Sequence, residues 1–243
     1  MKNKIGWCNL TWNPVWGCCN HCEYCYARGI AKRFWNQMYR NEFNYYFKKH
    51  PNWVWTGDQL GGLWKFEPTF LESQFDKKFP KKPQRIFVGS MSEIVYWDEV
   101  WIQKVIDKTK EYPQHTFIFL TKDPEVYNEW VFPENCWLGV TVTKKNDIGE
   151  ESLYDLNDSH LLKKTFISFE PILEEIDPND YIGFWDIDWV IIGAETGTRK
   201  GKIIPKKEWI ESIIKFCRDN DIPIYLKNSL KNIFPEEIKE FPI

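Results

Sequence analysis

The chain has 243 residues, enough for a full hydrophobic core in one barrel-like domain or two small ones. Its 32 basic residues stand against 35 acidic ones, a net charge of −3, so binding to nucleic acid through an overall positive field is excluded. Behind Met1-Lys2-Asn3-Lys4 there is no apolar stretch, and the longest apolar runs, such as residues 189–194, are too short to cross a bilayer. A cytoplasmic protein that makes no membrane contact is expected.

A first strand is expected within Ile5 to Trp12, running through Asn13-Pro14 into Cys18-Cys19-Asn20-His21-Cys22-Glu23-Tyr24-Cys25. Read from Cys18, this is a CxxxCxxC motif with an aromatic residue before the last cysteine. Three thiolates can hold three irons of a 4Fe-4S cluster and leave the fourth iron for another ligand, and the spacing resembles the cluster loop of radical S-adenosylmethionine (SAM) enzymes. Zinc is the competing reading, because Cys19, His21, Cys22 and Cys25 could supply four tetrahedral ligands, although structural zinc sites usually draw on two separated pairs. Clustered thiols in a reducing compartment favour metal over disulfides. Cys8, Cys136 and Cys217 stand alone and read as small buried apolar residues.

The next segment, Tyr26 to Tyr39, has helical periodicity, with Ile30, Phe34 and Met38 on one apolar face. From Asn41 to Pro83 the periodicity is lost. Turn signals at Gly57, Asp58, Gly61 and Gly62 and a crowd of aromatics mark this as an insertion, read as a lid or functional segment. Exposed, its rings would form a stacking platform for bases; buried, they are ordinary core.

Beyond it the rhythm is regular. Strands are expected at Arg85–Gly89, Thr116–Leu120, Trp137–Val142, Thr165–Ser168, Trp189–Gly193 and Pro223–Leu226. Helices are expected at Glu99–Tyr112, Pro124–Trp130, around Ser159–Lys163 and at Lys206–Asn220. Short apolar strands alternating with helices predict an α/β fold: a partial or near-complete parallel βα (TIM-like) barrel of about seven strands, as one domain over residues 1–243 with an aromatic-rich insertion at about 41–83. Two basic runs, Lys77 to Arg85 and Arg199 to Lys202, with Lys206-Lys207 beyond, are candidate nucleic-acid phosphate contacts, against the commoner alternative of a solvated face.

In such barrels chemistry sits at the C-terminal strand ends, and here those ends are polar. They read Gly89-Ser90-Met91-Ser92-Glu93, Thr121-Lys122, Thr141-Val142-Thr143, Ser168-Phe169-Glu170-Pro171, Gly193-Ala194-Glu195-Thr196-Gly197 and Lys227-Asn228. Each alone is an ordinary cap or turn residue. Together they predict one polar pocket facing the cysteine loop.

Nearly the whole chain resembles a phage- and prokaryote-associated family that forms a divergent branch of the radical SAM superfamily. The resemblance is carried by Thr11-Trp12-Asn13-Pro14, Gly17-Cys18, Cys22-Glu23-Tyr24-Cys25-Tyr26-Ala27, Phe87 to Ser92, Leu120-Thr121-Lys122, Trp137-Leu138-Gly139-Val140, Ser168-Phe169-Glu170-Pro171 and Asp188 to Gly197. Relatives typically have a longer gap between the first two cluster cysteines than Cys18 and Cys22 do. The resemblance implies that Cys18, which follows Gly17 in the family pattern, ligates a 4Fe-4S cluster with Cys22 and Cys25, leaving Cys19 a bystander. It further implies that the backbone around Tyr24 faces the adenine of SAM, and that Ser90, Met91, Ser92 and Glu93 lie where the methionyl amine is held. Thr141 and Thr143 would lie near the ribose, and Ser168 and Glu170 would bind SAM or substrate. Lys122, Glu170, Glu195 and Lys227 are left as candidate catalytic or substrate-contacting residues. The implied partners are a small-molecule or nucleotide-like substrate and an electron donor of flavodoxin or ferredoxin type.

Two other readings compete. Glu170 and Glu195 could be the acid and base of a glycosidase-like barrel, which leaves the cysteines unexplained. A zinc-bearing nucleic-acid-binding module leaves the polar strand ends unexplained.

Overall fold

The computed structural model describes residues 5–52, 60–147, 164–182 and 187–242. In chain order, β1 (Leu10–Trp12) and β2 (Val15–Trp16) precede α1 (Tyr26–Lys49). Then follow α2 (Gly62–Lys65), β3 (Thr69–Phe70), α3 (Glu72–Phe75), β4 (Arg85–Val88), α4 (Glu99–Lys110), β5 (Thr116–Thr121) and β6 (Cys136–Val142). The chain closes with β7 (Thr165–Phe169), α5 (Asn179–Ile182), β8 (Trp189–Ile192), α6 (Lys207–Asp219) and β9 (Ile224–Leu226).

Seven strands form one sheet in the order β1-β4-β5-β6-β7-β8-β9, every neighbouring pair parallel. Because each strand adds beside the one before it, the sheet curls into a half-barrel whose C-terminal strand ends share one edge. This is the α/β partial barrel that the alternation of elements predicts.

Side chains alternate between the two faces with the strand period of two. Val140, Ile167, Phe169, Val190, Ile192 and Ile224 point outward and pack with Ile210, Ile213 and Cys217 of α6. Ile86, Val88, Phe117, Phe119 and Leu138 do the same against Ile102, Val105 and Ile106 of α4. The residues between them turn inward, where Trp7, Phe87, Ile118, Phe166, Trp189, Ile191 and Tyr225 form an aromatic floor. Each large apolar side chain so buried contributes about 1.5–3 kcal/mol. The indole N–H of Trp189 donates to the Glu240 carbonyl at 2.9 Å, so its one polar atom is satisfied. Gly139 is bare because a Cβ there would sit 2.2 Å from the Phe166 ring. Cys8, Cys136 and Cys217 are buried, as small apolar residues would be.

Four local expectations need correction. The first helix runs to Lys49, ten residues past Tyr39. Its buried face is Ala27, Ala31 and Glu42, while Ile30 and Phe34 are 39% and 48% exposed. The alanines let the helix lie close on Leu63, Phe66 and Leu71, which large side chains would hold off. Finally, the insertion is partly built into the fold. β3 pairs antiparallel with β2 (Val15↔Phe70, Trp16↔Thr69), and the buried Glu42 carboxylate accepts from the Ser73 amide at 3.1 Å. Near Pro124 only a short 3₁₀ turn, Pro124–Tyr127, forms. The expected helix around Ser159–Lys163 and the turn signals Gly57 and Asp58 lie outside the described residues. Among the described residues no helix is long and apolar enough to cross a membrane.

Candidate active site

The cysteine loop leaves β2 at the C-terminal edge of the sheet and is pinned from below. Gly17 has φ +108°, and a Cβ there would lie 2.0 Å from the Glu67 carbonyl oxygen, so only glycine fits. The Gly17 amide donates to the Met91 carbonyl at 3.0 Å and the Cys18 amide to the Phe66 carbonyl at 2.9 Å. At the far end Cys25 caps α1, its Sγ accepting from the Arg28 amide at 3.3 Å. The Arg28 guanidinium turns back to the Cys18 carbonyl at 3.1 Å and lies 5.0 Å from the Phe66 ring centre. Both ends of the loop are therefore fixed to packed elements.

Cys18, Cys22 and Cys25 are half-buried, whereas Cys19 is exposed. Burial pushes the Cys18 thiol up to about 11, against the hydrogen bond from the Asn20 amide, and the nearby Glu93, Cys25 and Cys22 act in the same direction as burial. Among the described residues no three His, Cys, Asp or Glu side chains converge on a point that one metal ion would occupy. A cluster with one thiolate per iron has its sulfurs further apart than a single tetrahedral ion does.

Opposite the loop, the inward alternation of the floor residues continues to the strand ends. Phe166 is followed two residues on by Ser168 and then Glu170, Ile191 by Gly193, and Tyr225 by Lys227. A cavity of about 310 Å³ opens beside the cysteines, lined by Cys22, Tyr24, Lys122, Thr141, Thr143 and Asp147 among others. The Lys122 ammonium lies 5.4 Å from the Tyr24 ring centre. Burial lowers the affinity of Lys122 for its proton, but Tyr24, Cys22 and Asp147 outweigh it and hold the ammonium above its usual range. Thr143 donates from its amide and hydroxyl to Asp147 at 2.7 and 2.5 Å.

Glu93 is buried and fully engaged: the Thr121 hydroxyl donates to one carboxyl oxygen and the Lys122 amide to the other, at 3.1 Å. Burial raises its carboxyl above the usual range despite these donors. The Ser90 hydroxyl bonds to Asn13 Oδ1 at 3.0 Å, and the Met91 side chain is buried with Trp16, Ala27 and Leu63 beneath the loop. Two hydroxyls differ. Ser92 Oγ and Ser168 Oγ are buried and have no hydrogen-bond partner among the described residues. Leaving such a group unpaired costs about 1–3 kcal/mol.

The four charged candidates fall into different arrangements. Lys227 and Glu170 form an ion pair at the mouth, with side chains 17% and 22% exposed. Gly193 leaves room for them, since a Cβ there would meet Glu170 Cγ at 3.0 Å and Lys227 Cδ at 3.1 Å. Glu195 is instead held by Arg199 through two hydrogen bonds of 2.8 Å, which keep its carboxyl below the usual range. Arg199 also reaches Glu23 of the cysteine loop at 3.4 Å, tying the loop after β8 to the cysteine loop.

Sequence reasoning assigned no site role to Gly193 or Tyr26 and read Arg199 only as part of a basic run. The Tyr26 hydroxyl donates to the Ser90 carbonyl at 2.8 Å. Its place directly after Cys25 was the one available signal. The basic runs also separate. Residues 77–85 lead into β4 at the opposite edge of the sheet, whereas 199–202 follow β8 at the mouth.

A curled half-barrel of seven parallel strands is a partial βα barrel. Residues 2–233 match the profile of the DUF5131 family, described as a protein of unknown function, and the chain belongs to that family. No curated protein matches it. Among solved structures, a double mutant of spore photoproduct lyase with bound AdoMet and dinucleoside spore photoproduct is similar at a TM-score of 0.57 and 11% identity. That match covers 89% of this chain and 75% of the lyase. Spore photoproduct lyase complexed with dinucleoside spore photoproduct is similar at a TM-score of 0.53 and 11% identity, over 88% and 74% of the two chains. At this identity the likeness is one of fold.

Proposed function

We propose that this protein is a radical SAM enzyme acting on a nucleotide-like substrate. The observation that carries the reading is the placement of Cys18, Cys22 and Cys25, half-buried on one pinned loop, above a polar barrel mouth with two orphaned hydroxyls. The three cysteines would hold a 4Fe-4S cluster, a donor set that leaves one iron open. Tyr24, Ser90, Met91, Ser92, Glu93, Thr141, Thr143 and Ser168 form the SAM-binding set, Ser92 and Ser168 offering the free hydroxyls and Met91 supporting the loop from beneath. When bound, cluster and SAM together supply a 5′-deoxyadenosyl radical that takes a hydrogen atom from a substrate.

The protein's own residues bind and shield. The aromatic floor closes the barrel from below and keeps bulk water out of the mouth. Lys122, Glu170 and Lys227 present charge to the substrate, while Glu195, already taken by Arg199, positions the loop after β8. A nucleotide-like substrate is supported by the dinucleoside bound in the structural neighbours. Reduction by a flavodoxin- or ferredoxin-type donor completes the proposal.

The other readings have less support. A glycosidase needs one of its two carboxyls protonated, whereas Glu195 is held ionised by Arg199 and Glu170 is paired with Lys227. A zinc site built on Cys19, His21, Cys22 and Cys25 has no convergent trio among the described residues.

The test is anaerobic purification and reconstitution. About four irons and four sulfides per chain are expected, with release of 5′-deoxyadenosine from SAM under dithionite that Cys22→Ala abolishes. One zinc per chain and no colour would sink the proposal.

A further inference from the structure

Helix α1 starts at the last cluster cysteine and carries an outward face whose composition is unusual for a solvated helix. Tyr26, Ile30, Arg33, Phe34, Gln37 and Arg40 recur at helical spacing on it, and all six are exposed. Tyr26, Ile30 and Phe34 are 50%, 39% and 48% exposed, three of the large apolar side chains that the described surface leaves open. The only acid in the helix, Glu42, is buried on the opposite side. Arg33 and Arg40 form no ion pair among the described residues, and Arg33 lies over the Phe34 ring at 5.9 Å. A protein of net charge −3 thus concentrates cations interleaved with rings, without a carboxylate, along about 21 Å of one helix face.

Nothing in the packing of the helix requires this face. Gly29, beside it, is a poor helix former, and a Cβ there would meet nothing within 4 Å, so no close contact explains the glycine. The stripe also has a direction. It begins at Tyr26, whose hydroxyl meets the Ser90 carbonyl at the barrel mouth and which lies near Glu170. A ligand lying along the helix would therefore be led to the mouth.

We infer that the outward face of α1 binds single-stranded nucleic acid, with Arg33 and Arg40 on its phosphates and Phe34 and Tyr26 stacking on its bases. Single strands fit best because cations spaced among exposed rings match a polymer that alternates charge with unstacked π faces, whereas a duplex hides its faces. An anionic membrane would take the apolar side chains but has no use for a stripe aimed into a barrel mouth. The inference rests on the proposed function only in making this polymer the substrate; the binding itself does not require SAM chemistry.

The experiment uses the full chain with its cluster reconstituted and fluorescein-labelled 20-nucleotide DNA and RNA single strands, their duplexes, and phosphatidylglycerol-containing vesicles. Single strands are expected to bind with a salt slope that falls by about 1.4 in the Arg33→Glu/Arg40→Glu variant, two phosphate contacts being lost. Phe34→Ala is expected to weaken binding about fivefold or more. Circular dichroism and 5′-deoxyadenosine release should be unchanged in both variants, and comparison of the DNA and RNA arms identifies the natural polymer. Equal binding by wild type and variants, tighter binding of duplex, or capture of vesicles without oligonucleotide overturns the inference. If SAM is not cleaved by any form but oligonucleotide binding still depends on Arg33 and Arg40, the proposed chemistry fails and the binding face stands.

Discussion

Glu170 and Lys227, carried on the ends of β7 and β9, pair across the bare Cα of Gly193 between them. The pair exists because the intervening strand end has no side chain. Gly193→Ala places a methyl group 3.0 Å from Glu170 Cγ and 3.1 Å from Lys227 Cδ, forcing the two apart. Overpacking of this kind is expected to cost about 1–3 kcal/mol. Urea denaturation should show that loss; an unchanged midpoint would mean that the pair moves aside freely.

Ser168→Ala is expected to behave unlike most buried polar substitutions. Its hydroxyl is fully buried and unpartnered, so removing it should leave the ligand-free protein as stable or raise stability by up to about 1 kcal/mol. If the proposed function holds, SAM should raise the melting temperature of the wild type, and that rise should shrink in the variant. Loss of stability without ligand would show that Ser168 already has a partner.

Within the cysteine loop, Cys18→Ser, Cys22→Ser and Cys25→Ser should each lose the brown absorption of a reconstituted cluster, while Cys19→Ser should keep it. Cys19 is exposed and the other three are half-buried above the mouth. Colour retained by Cys18→Ser but lost by Cys19→Ser would reverse the assignment of the first ligand.

Arg199 provides a test by pH. Its two hydrogen bonds hold the Glu195 carboxyl below the usual range, so their stabilisation is present above the ordinary carboxylate pKa and is lost as pH falls through the lowered folded value. The stability difference between wild type and Arg199→Ala should therefore be larger at pH 7 than in acid, and should close progressively below the unfolded glutamate pKa of about 4.3. A difference independent of pH would assign the effect to packing. The same variant frees Glu23, so SAM cleavage should fall even where the fold survives.

About seven parallel strands of a βα barrel and the polar residues at their ends were legible from the residues alone. Alternation within a strand and the switch between strand and helix periods are local properties, as is the spacing of Cys18, Cys22 and Cys25. Helix α1 was legible as a helix but not in which face it buries, because Ala27 and Ala31 win the buried side through close approach to Leu63, Phe66 and Leu71 while larger side chains face out. The same limit applies to the charged residues at the mouth. Glu170 and Glu195 look alike in sequence, yet Glu195 meets Arg199 only four residues on, whereas Glu170 meets Lys227, 57 residues on, a pairing that exists only because the sheet brings the ends of β7 and β9 together. Period and spacing are written residue by residue, whereas burial, partner choice and the orphaning of Ser92 and Ser168 depend on distances between segments far apart in the chain, which exist only once the half-barrel has closed around them.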